Sequence, residues 1–379
     1  DNWAHWSSAP LTSFFWSGYA YQVQTRGRSS AGNLQVVYAS NTVVYDNTAP
    51  QTGVTYPAGG QTTINSLGVI RGTGVDLPVP VAPASSAPLT GVYLRVQRLT
   101  DNQWWAGSVL TWQSVVSSVQ ANNVYVSSWS LTSVDVPPAG QLTSGTSYYL
   151  TTVGVDNVDG GGNQESYYSV RSSTFVYDTD VPKSWVSSNS VVNLSTMSVL
   201  ATITGTTADE PGFGNVAKVS AQTQRVDVTI QSLGTGQYYY GGGSWGGYGE
   251  SAWLATSTTA VTSTSGTWTT SLVPAWQHGV SYVIVARSSD SAGNIESEFS
   301  VGTDSKTVTF DLQAPSATVT NFYVNLANGT SYYNAASAAV GQTSFTGTAV
   351  DWPAGMSSLQ VALSSNADSD GDSAWYSAS

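Results

Sequence analysis

The aspartates are the residues whose types and spacing come closest to a recognisable chemistry. The segment DSDGD places Asp368, Asp370 and Asp372 at alternate positions. Three hard oxygen ligands so close together suit Ca²⁺, which prefers carboxylates and carbonyls. A complete EF-hand loop would need a glutamate at its twelfth position, which is Ser379 here. The segment therefore predicts either a cluster of Ca²⁺ ligands or a solvated hairpin tip.

A second acidic pair, Asp156 and Asp159, lies beside the segment DGGGN. We expect these two side chains to be Ca²⁺ ligands at a junction between domains. Asp46, Asp178 and Asp311 also recur, each just before a Pro-containing segment. They bind an ion at the linker or cap the linker turn, and the sequence leaves both interpretations open.

Catalytic constellations are poorly represented. The chain has two histidines, and His278 stands directly before a turn glycine, where a surface position is expected. A glycosidase needs two carboxylates about 5–10 Å apart in one cleft. Asp76, Asp209 and Asp351 occur once per repeat, each just after a predicted strand, which is typical of a turn cap. We predict a protein that is not an enzyme.

The composition excludes several classes of function. Only 9% of the 379 residues are charged, the net charge is −12 and the pI is about 4.3. A nucleic-acid binder needs a basic stripe, which 11 scattered Lys and Arg do not supply. No apolar run is long enough for a membrane span. There is no cysteine, which suits an exported surface protein but excludes disulfides and thiolate metal sites.

An internal repeat of about 132 residues organises the chain. The segments VYDNTAP, VYDTDVP and TFDLQAP end at Pro50, Pro182 and Pro315, with spacings of 132 and 133. Three further segments, SSAGN, DGGGN and DSAGN, end in asparagine at similar spacings. Several anchors in one order at one period predict tandem copies of a single unit.

The repeat sets the predicted domain boundaries. Residues 47–178 and 179–311 form complete copies, whereas 1–46 is the C-terminal part of one copy and 312–379 the N-terminal part of another. We expect the incomplete ends to belong to a longer repeat protein. The alternative is that the end of one chain completes the start of the next by strand exchange.

Each copy has the pattern of a β protein. The segments GVYLRVQRL and RVDVTIQSL alternate apolar and polar residues and are rich in β-branched side chains. Turn residues interrupt such runs at short intervals, and no convincing helical period is present. The predicted fold is all-β, a tandem array of immunoglobulin-like β-sandwiches.

An aromatic insertion follows the same predicted strand in each copy. It ends in TDNQWWAGSVLTW in one copy and contains GQYYYGGGSWGGYGESAW in the next. We predict an aromatic hairpin with three alternative roles: covering its own domain, contacting a neighbouring domain or chain, or stacking on sugar rings. The candidate residues for contact with a partner or glycan are Trp104, Trp105, Trp112, Tyr238, Tyr239, Tyr240, Trp245, Tyr248 and Trp253.

The boundary pattern Y-D-x-x-x-P and the turn S-D-x-A-G-N resemble the bacterial immunoglobulin-like (Big-type) tandem repeats of large exported surface proteins. The resemblance implies a structural segment of an extracellular bacterial fibre, stalk or filament at the cell surface. Association with neighbouring copies is the expected interaction. A glycan-binding adhesin is the alternative. No cofactor is expected, apart from the Ca²⁺ considered above, and no nucleic acid.

Overall fold

The structure is a computed structural model of the chain. It describes residues 5–8, 14–60, 62–76, 88–132, 134–209, 222–258, 266–320, 346–365 and 374–377. Within these ranges no helix is long and apolar enough to cross a membrane. The predicted acidic cluster Asp368, Asp370 and Asp372 lies outside the described residues.

The first described element is a two-stranded antiparallel hairpin. Strand β1 (Tyr19–Thr25) pairs with β2 (Ala39–Tyr45), and Tyr19 lies opposite Tyr45. Phe15 contacts both Tyr21 and Tyr45, with ring centroids 4.7 and 5.4 Å away. This hairpin leads directly into the first sandwich through the linker 46–50.

The described residues between 51 and 177 form eleven strands and three short 3-10 helices of the first sandwich. The strands are β3 (Gln51–Tyr56), β4 (Thr62–Ile64), β5 (Ile70–Val75), β6 (Leu89–Arg98), β7 (Gln103–Ala106), β8 (Thr111–Gln113), β9 (Val119–Gln120), β10 (Asn123–Val124), β11 (Ser128–Leu131), β12 (Thr146–Asp156) and β13 (Ser173–Tyr177). The 3-10 helices are Gly107–Val109, Ala139–Gln141 and Ser169–Arg171. The small sheet has the order β10-β11-β5-β3. The large sheet has the order β4-β13-β12-β6-β7-β8, with β9 also paired to β6.

The second sandwich repeats this topology strand for strand. Its elements are β14 (Lys183–Val186), β15 (Ser195–Met197), β16 (Ile203–Ala208), β17 (Thr223–Ser232), β18 (Tyr238–Tyr239), β19 (Trp245–Gly246), a 3-10 helix (Glu250–Ala252), β20 (Leu254–Ala255), β21 (Ser257–Thr258), β22 (Gly266–Thr270), β23 (Ser281–Asp290) and β24 (Ser305–Phe310). The small sheet has the order β21-β22-β16-β14, and the large sheet has the order β15-β24-β23-β17-β18-β19 with β20 on β17.

In the described residues after the second sandwich, 312–320, 346–365 and 374–377, there are four strands. Strand β25 (Ser316–Val319) pairs with β26 (Gly347–Val350), and β27 (Ala362–Ser365) pairs with β28 (Ala374–Ser377). Together with the two full sandwiches they confirm the predicted all-β class, a tandem array of β-sandwiches with an inserted hairpin. The domain boundaries drawn from the repeat stay a prediction.

The sequence pattern explains why these segments form strands that pack as layers. Along β23, inward residues alternate with partly exposed ones without interruption, as the period of two requires. The inward set of each sandwich meets in one apolar core that includes Leu94, Leu150 and Phe175 in the first copy and Ile230, Ile284 and Phe310 in the second.

A tryptophan lying over a glycine ties the two central strands of each small sheet together. Trp129 lies opposite Gly72, and Trp268 lies opposite Gly205. Each indole Nε1 donates a hydrogen bond to the carbonyl of the residue after the glycine, at 3.0 Å and 3.1 Å. Both tryptophans are almost fully buried. Glycine is required at these positions because a Cβ would occupy the space of the indole ring and of a neighbouring backbone carbonyl.

The aromatic hairpin continues the large sheet and packs on its own sandwich. In the first copy the rings of Trp105, Trp112, Tyr148 and Phe175 follow one another at centroid distances of 5.4, 5.5 and 5.3 Å. In the second, Tyr239 contacts Trp245, which contacts Tyr282. The hairpin therefore extends an aromatic column whose centre is a buried tyrosine of the strand before the last, and covers the sheet edge.

Replacing Gly205 with Ala tests the tryptophan-on-glycine contact. The new Cβ would lie 2.0 Å from the Trp185 carbonyl oxygen and 2.2 Å from Trp268 Cζ2. Because backbone cannot yield as a flexible side chain does, we expect a loss of about 3 kcal/mol or more in the free energy of unfolding of the second sandwich. Urea unfolding followed by tryptophan fluorescence measures the loss.

The matched control for this substitution is Gly247→Ala. A Cβ at Gly247 meets nothing within 4 Å. The control should change stability by no more than about 0.5 kcal/mol. Equal effects of the two substitutions would contradict the proposed role of the contact.

Candidate functional site: the carboxylate junctions

The linker before each complete sandwich is fixed by an aspartate and a serine from the preceding unit. Ser17 Oγ donates to Asp46 Oδ1 at 2.9 Å, and the same carboxylate oxygen accepts from Thr48 N at 3.0 Å. At the next linker Ser144 Oγ donates to Asp178 Oδ1 at 3.1 Å, and Asp180 N donates to it at 2.9 Å. The recurring linker aspartates therefore cap the turn, one of the two roles expected of them.

An asparagine from the following sandwich closes the same junction. Asn294 Nδ2 donates to the Asp178 main-chain oxygen at 2.9 Å and to Asp290 Oδ2 at 2.8 Å. Asn163 Nδ2 makes the equivalent bonds to the Asp46 oxygen at 3.4 Å and to Asp156 Oδ2 at 2.8 Å. Asn163 and Asn294 thus each clamp the turn of their own unit to the linker that leaves the unit before it.

Further polar contacts join the first and second sandwiches around this clamp. Thr63 Oγ1 lies 3.0 Å from Ser291 Oγ, and Asn65 Nδ2 donates to Asn294 Oδ1 at 3.3 Å. Thr63 belongs to β4 and Asn65 follows it directly, at the edge of the large sheet. The junction is consequently held by side chains of both units as well as by the chain that connects them.

Three carboxylates gather at each of these two junctions. One cluster contains Asp46, Asp76 and Asp156, and the other contains Asp178, Asp209 and Asp290. In each cluster one carboxylate oxygen per residue lies within 4.8 Å of the others, and five of the six residues are buried. The members come from the linker, from the end of the third strand of the sandwich and from the end of its longest hairpin strand. This donor set of hard oxygens is of the type that binds Ca²⁺.

The electrostatics of the second cluster reflect this crowding. Burial raises the pKa of the Asp290 carboxyl, and the Asp178 carboxylate nearby raises it further. Hydrogen bonds from the Asn294 side chain and backbone act in the opposite direction. Like charges held this close disfavour full ionisation, so the cluster gains from binding either a proton or a cation.

The third junction uses a histidine where the first two use serine. His278 Nδ1 lies 3.2 Å from Asp311 Oδ1, and Leu312 N also points at Nδ1, at 3.2 Å. The His278 ring contacts Trp352 edge to face, with centroids 5.8 Å apart. Asp311 accepts from Gln313 N and Ala354 N, both at 3.1 Å. The expected surface turn histidine is therefore a partner of the linker aspartate.

Sequence reasoning missed a buried glutamate in each sandwich. Glu296 Oε2 accepts from Ser184 Oγ at 2.6 Å and from Ser288 Oγ at 2.9 Å. Glu165 Oε2 accepts from Thr52 N and Oγ1 at 2.9 and 2.6 Å, and its other oxygen forms a salt bridge with Arg171. The signal was the pattern G-N-x-E-S, which places a carboxylate two residues after the clamp asparagine in both copies.

The two buried glutamate carboxylates are stabilised by different partners. Glu165 has a guanidinium partner, whereas the hydrogen bonds to Glu296 come from two serines. Burial raises the pKa of the Glu296 carboxyl, although the Ser184 and Ser288 donors lower it in part. Each glutamate bonds the first strand of its sandwich to the long hairpin strand, next to the junction.

The predicted aromatic contact residues divide into buried and partly exposed sets. Trp105, Trp112, Tyr239 and Trp253 are buried within their own sandwich. The first three lie in hairpin strands whose alternate residues face the core, and Trp253 follows the 3-10 helix Glu250–Ala252. They present no ring face for a sugar or a partner, so their assignment as contact residues is corrected. Trp104, Tyr238, Tyr240 and Trp245 are half-buried, and Tyr248 is 67% exposed and contacts Tyr238 edge to face.

The predicted Ca²⁺ pair is also divided by the structure. Asp156 is the last residue of β12 and enters the first cluster with Asp46 and Asp76. Asp159 lies three residues further, in the exposed turn, and takes no part in that cluster. Asp76 and Asp209, expected only to cap turns, supply the third carboxylate of each cluster. The pairing of Asp159 with Asp156 is therefore corrected, because Asp159 is exposed and is not one of the three clustered carboxylates.

Comparison with known proteins yields no family model and no curated protein that matches. Among solved structures, the chain is similar to a tetra-tandem repeat in the extending region of a large adhesion protein, with 16% identity over 81% of this chain and a TM-score of 0.25. It is also similar to Escherichia coli alpha-2-macroglobulin activated by porcine elastase (11% identity, 79% coverage, TM-score 0.21). A third similar structure is the BSP domain of a biofilm-associated protein, with 12% identity over 70% of this chain and a TM-score of 0.16. The chain spans 60%, 27% and 30% of these structures.

Glu296 predicts a pH dependence of stability. Because its folded pKa is raised above the ordinary value of 4.5, the folded state binds the proton more tightly than the unfolded state. The contribution is complete below pH 4.5 and is lost as the pH rises through the folded pKa. We expect the urea midpoint of the second sandwich to decrease as the pH rises from 4.5 through the folded pKa of Glu296. In Glu296→Gln this decrease should be smaller.

The control for this pH series is Glu298→Gln, because Glu298 is exposed two residues away. It should leave the pH profile of the urea midpoint unchanged. A wild-type slope that persists in Glu296→Gln would assign the pH dependence to another group.

Proposed function

We propose that this chain is a structural spacer in an extracellular bacterial surface protein, and that its task is to hold a set distance. The observation that carries the proposal is the repeated junction, in which Asn163 and Asn294 each bind the preceding linker and the turn of their own sandwich. A binding or catalytic module needs no such device at both of its ends. A spacer needs it at every joint.

The joints limit bending by several independent constraints. The linker 178–182 has five residues between β13 and β14 and ends in Pro182, whose ring fixes φ. The Asp178 side chain binds the backbone of its own linker, while its carbonyl oxygen accepts from the next sandwich. Few rotatable bonds remain free, so two units joined in this way behave as one rod. Tandem units of this kind form quasi-one-dimensional arrays.

Composition supports the same role and location. A chain with no cysteine, few lysines and abundant hydroxyl residues suits exposure to oxidants and proteases outside the cell. The association with neighbouring copies that the sequence predicted stays a prediction, with the exposed Tyr248 as its best-placed residue.

We further propose that a Ca²⁺ ion stabilises each of the two carboxylate clusters. The supporting observations are that each cluster brings together one residue from the linker and two from the following sandwich, and that both clusters have the same construction. Binding there would neutralise the repulsion between Asp178 and Asp290 and attach the linker to the next unit through the metal.

Removing the clamp should loosen the joint without unfolding the units. In Asn294→Ala the bonds to Asp178 and Asp290 are lost, so we expect the second sandwich to lose about 1–2 kcal/mol of unfolding free energy. Small-angle X-ray scattering of the full chain should show a wider distribution of angles between the sandwiches and a smaller mean dimension.

Asn122→Ala is the control for this measurement, because Asn122 bonds to Thr132 within the first sandwich. Its scattering profile should match that of the wild type. If Asn294→Ala also scatters like the wild type, the joint is rigid for another reason and the clamp is not the device that makes a spacer.

Calcium binding is tested by calorimetry on the full chain after chelation. We expect two Ca²⁺ sites, one at each of the two carboxylate clusters. Their dissociation constants should be about 0.1–1 mM, which is the range of extracellular modules. Asp290→Asn should remove one site, whereas Asp159→Asn, outside the cluster, should leave both. If Ca²⁺ at about ten times these dissociation constants produces neither binding heat nor a rise in the thermal unfolding midpoint, the Ca²⁺ proposal is wrong. The spacer proposal does not depend on this result.

A further inference from the structure

The outer face of the small sheet of the second sandwich carries an ordered array of hydroxyl side chains beside an exposed tryptophan. In one row across the strands, Trp185 lies opposite Thr206, and Thr206 lies opposite Thr267. Directly opposed residues of antiparallel strands point to the same face. The three side chains therefore stand side by side on strands β14, β16 and β22.

A second row of hydroxyls lies two residues further along the strands. Thr204 is opposite Thr269, which is opposite Ser257, and Ser187 N donates to the Thr204 main-chain oxygen at 2.8 Å. Neighbouring strands are about 4.8 Å apart and the rows are separated by about 6.6 Å along the strands. The array is thus a regular grid of hydroxyl groups.

The two rows border a shallow groove of about 390 Å³. Six of its eight lining residues carry a hydroxyl, and none is charged: Ser187, Thr204, Thr206, Ser257, Thr267 and Thr269, with Gly205 and Trp268. This volume lies within the range of small-ligand sites. Among the described residues, the hydroxyls of Thr204, Thr206 and Thr269 form no hydrogen bond, so they remain available to a ligand.

Trp185 borders this grid as an accessible aromatic surface. It is 38% exposed, whereas Trp268 in the same sheet is 2% exposed. Within the described part of the chain, its ring contacts no other aromatic ring and no arginine. The exposed part of an indole offers an apolar surface on which a ligand ring can stack.

We propose that this face of the second sandwich binds a neutral saccharide. The apolar face of a sugar ring stacks on Trp185, and the sugar hydroxyls exchange hydrogen bonds with Thr204, Thr206 and Thr269, which both donate and accept. The groove lining is uncharged, which suits a neutral sugar. The site is separate from the hairpin that the sequence pointed to and goes beyond the spacer role.

The first sandwich provides an internal comparison. Thr52 and Ser184 are equivalent, because each bonds to the buried glutamate of its sandwich. The next residue is Gly53 in the first sandwich and Trp185 in the second. The equivalent of Thr204 is Arg71, which lies opposite Ser130 and stacks on Tyr56 at 5.2 Å. On the same face of the first sandwich a glycine thus replaces the tryptophan, and the one ring beside Arg71, that of Tyr56, is covered by its guanidinium. We therefore expect no saccharide to bind there.

Affinity electrophoresis of the full chain in gels containing dextran, mannan, galactan or hydroxyethyl cellulose tests the proposal. At least one of these neutral polysaccharides should retard the wild-type chain. Trp185→Ala should weaken that interaction about tenfold or more, as expected when a central aromatic anchor is truncated. Trp185→Phe should retain most of it, and the double variant Thr204→Val, Thr206→Val should weaken it to an intermediate degree.

Trp104→Ala is the matched control, because Trp104 is a half-buried ring on the hairpin of the first sandwich. Its retardation should equal that of the wild type, and near-ultraviolet circular dichroism verifies that every variant is folded. The proposal is overturned if none of the four polysaccharides retards the chain, or if Trp185→Ala is retarded as strongly as the wild type. Loss of retardation in Trp104→Ala alone would place sugar binding on the hairpin instead.

Discussion

The hydrogen bonds of one asparagine side chain hold the arrangement of units together. Asn294 Nδ2 donates to the Asp178 carbonyl, where the chain leaves one sandwich, and to the Asp290 carboxylate of the next sandwich. The carbonyl belongs to a chain segment that has just left the last strand of its sandwich. A buried carbonyl without a donor would be costly, and the donor comes from the following unit. Satisfying the backbone and fixing the joint are therefore the same interaction.

The buried acids near this clamp follow from the same constraint. A turn that binds a linker must be rigid, and Glu165 and Glu296 make it rigid by accepting several hydrogen bonds from the first strand of the sandwich. Burying a carboxylate needs a compensating charge or several donors. The first sandwich supplies Arg171, and the second supplies two serines and leaves the carboxyl with a raised pKa. The same position in the fold is thus stabilised by different partners in the two copies.

The sequence predicted features that depend on local pattern. The spacing of Pro50, Pro182 and Pro315 located the linkers, and the alternation of apolar residues identified the long strands. It did not predict which side chains meet across the junction. Asp46, Asp76 and Asp156 are far apart in the chain and converge only because β5 and β12 end at the same end of the sandwich. The choice between Asp156 and Asp159 depended on where a strand ends, which composition does not determine. The burial of Trp105 and Tyr239 depends on which alternate residues of two short hairpin strands face the core.

Comparing the two sandwiches separates what the repeat needs from what one copy adds. Both keep the clamp asparagine, the buried glutamate, the tryptophan over glycine and the same strand order. Their outer faces differ: Gly53 in one copy stands where the other has an exposed Trp185. In a tandem array each unit contacts only its neighbours, so joints and cores must be alike for units to stack. The outer faces are free of that requirement, so a fibre built from such units can carry different surface chemistry on each one.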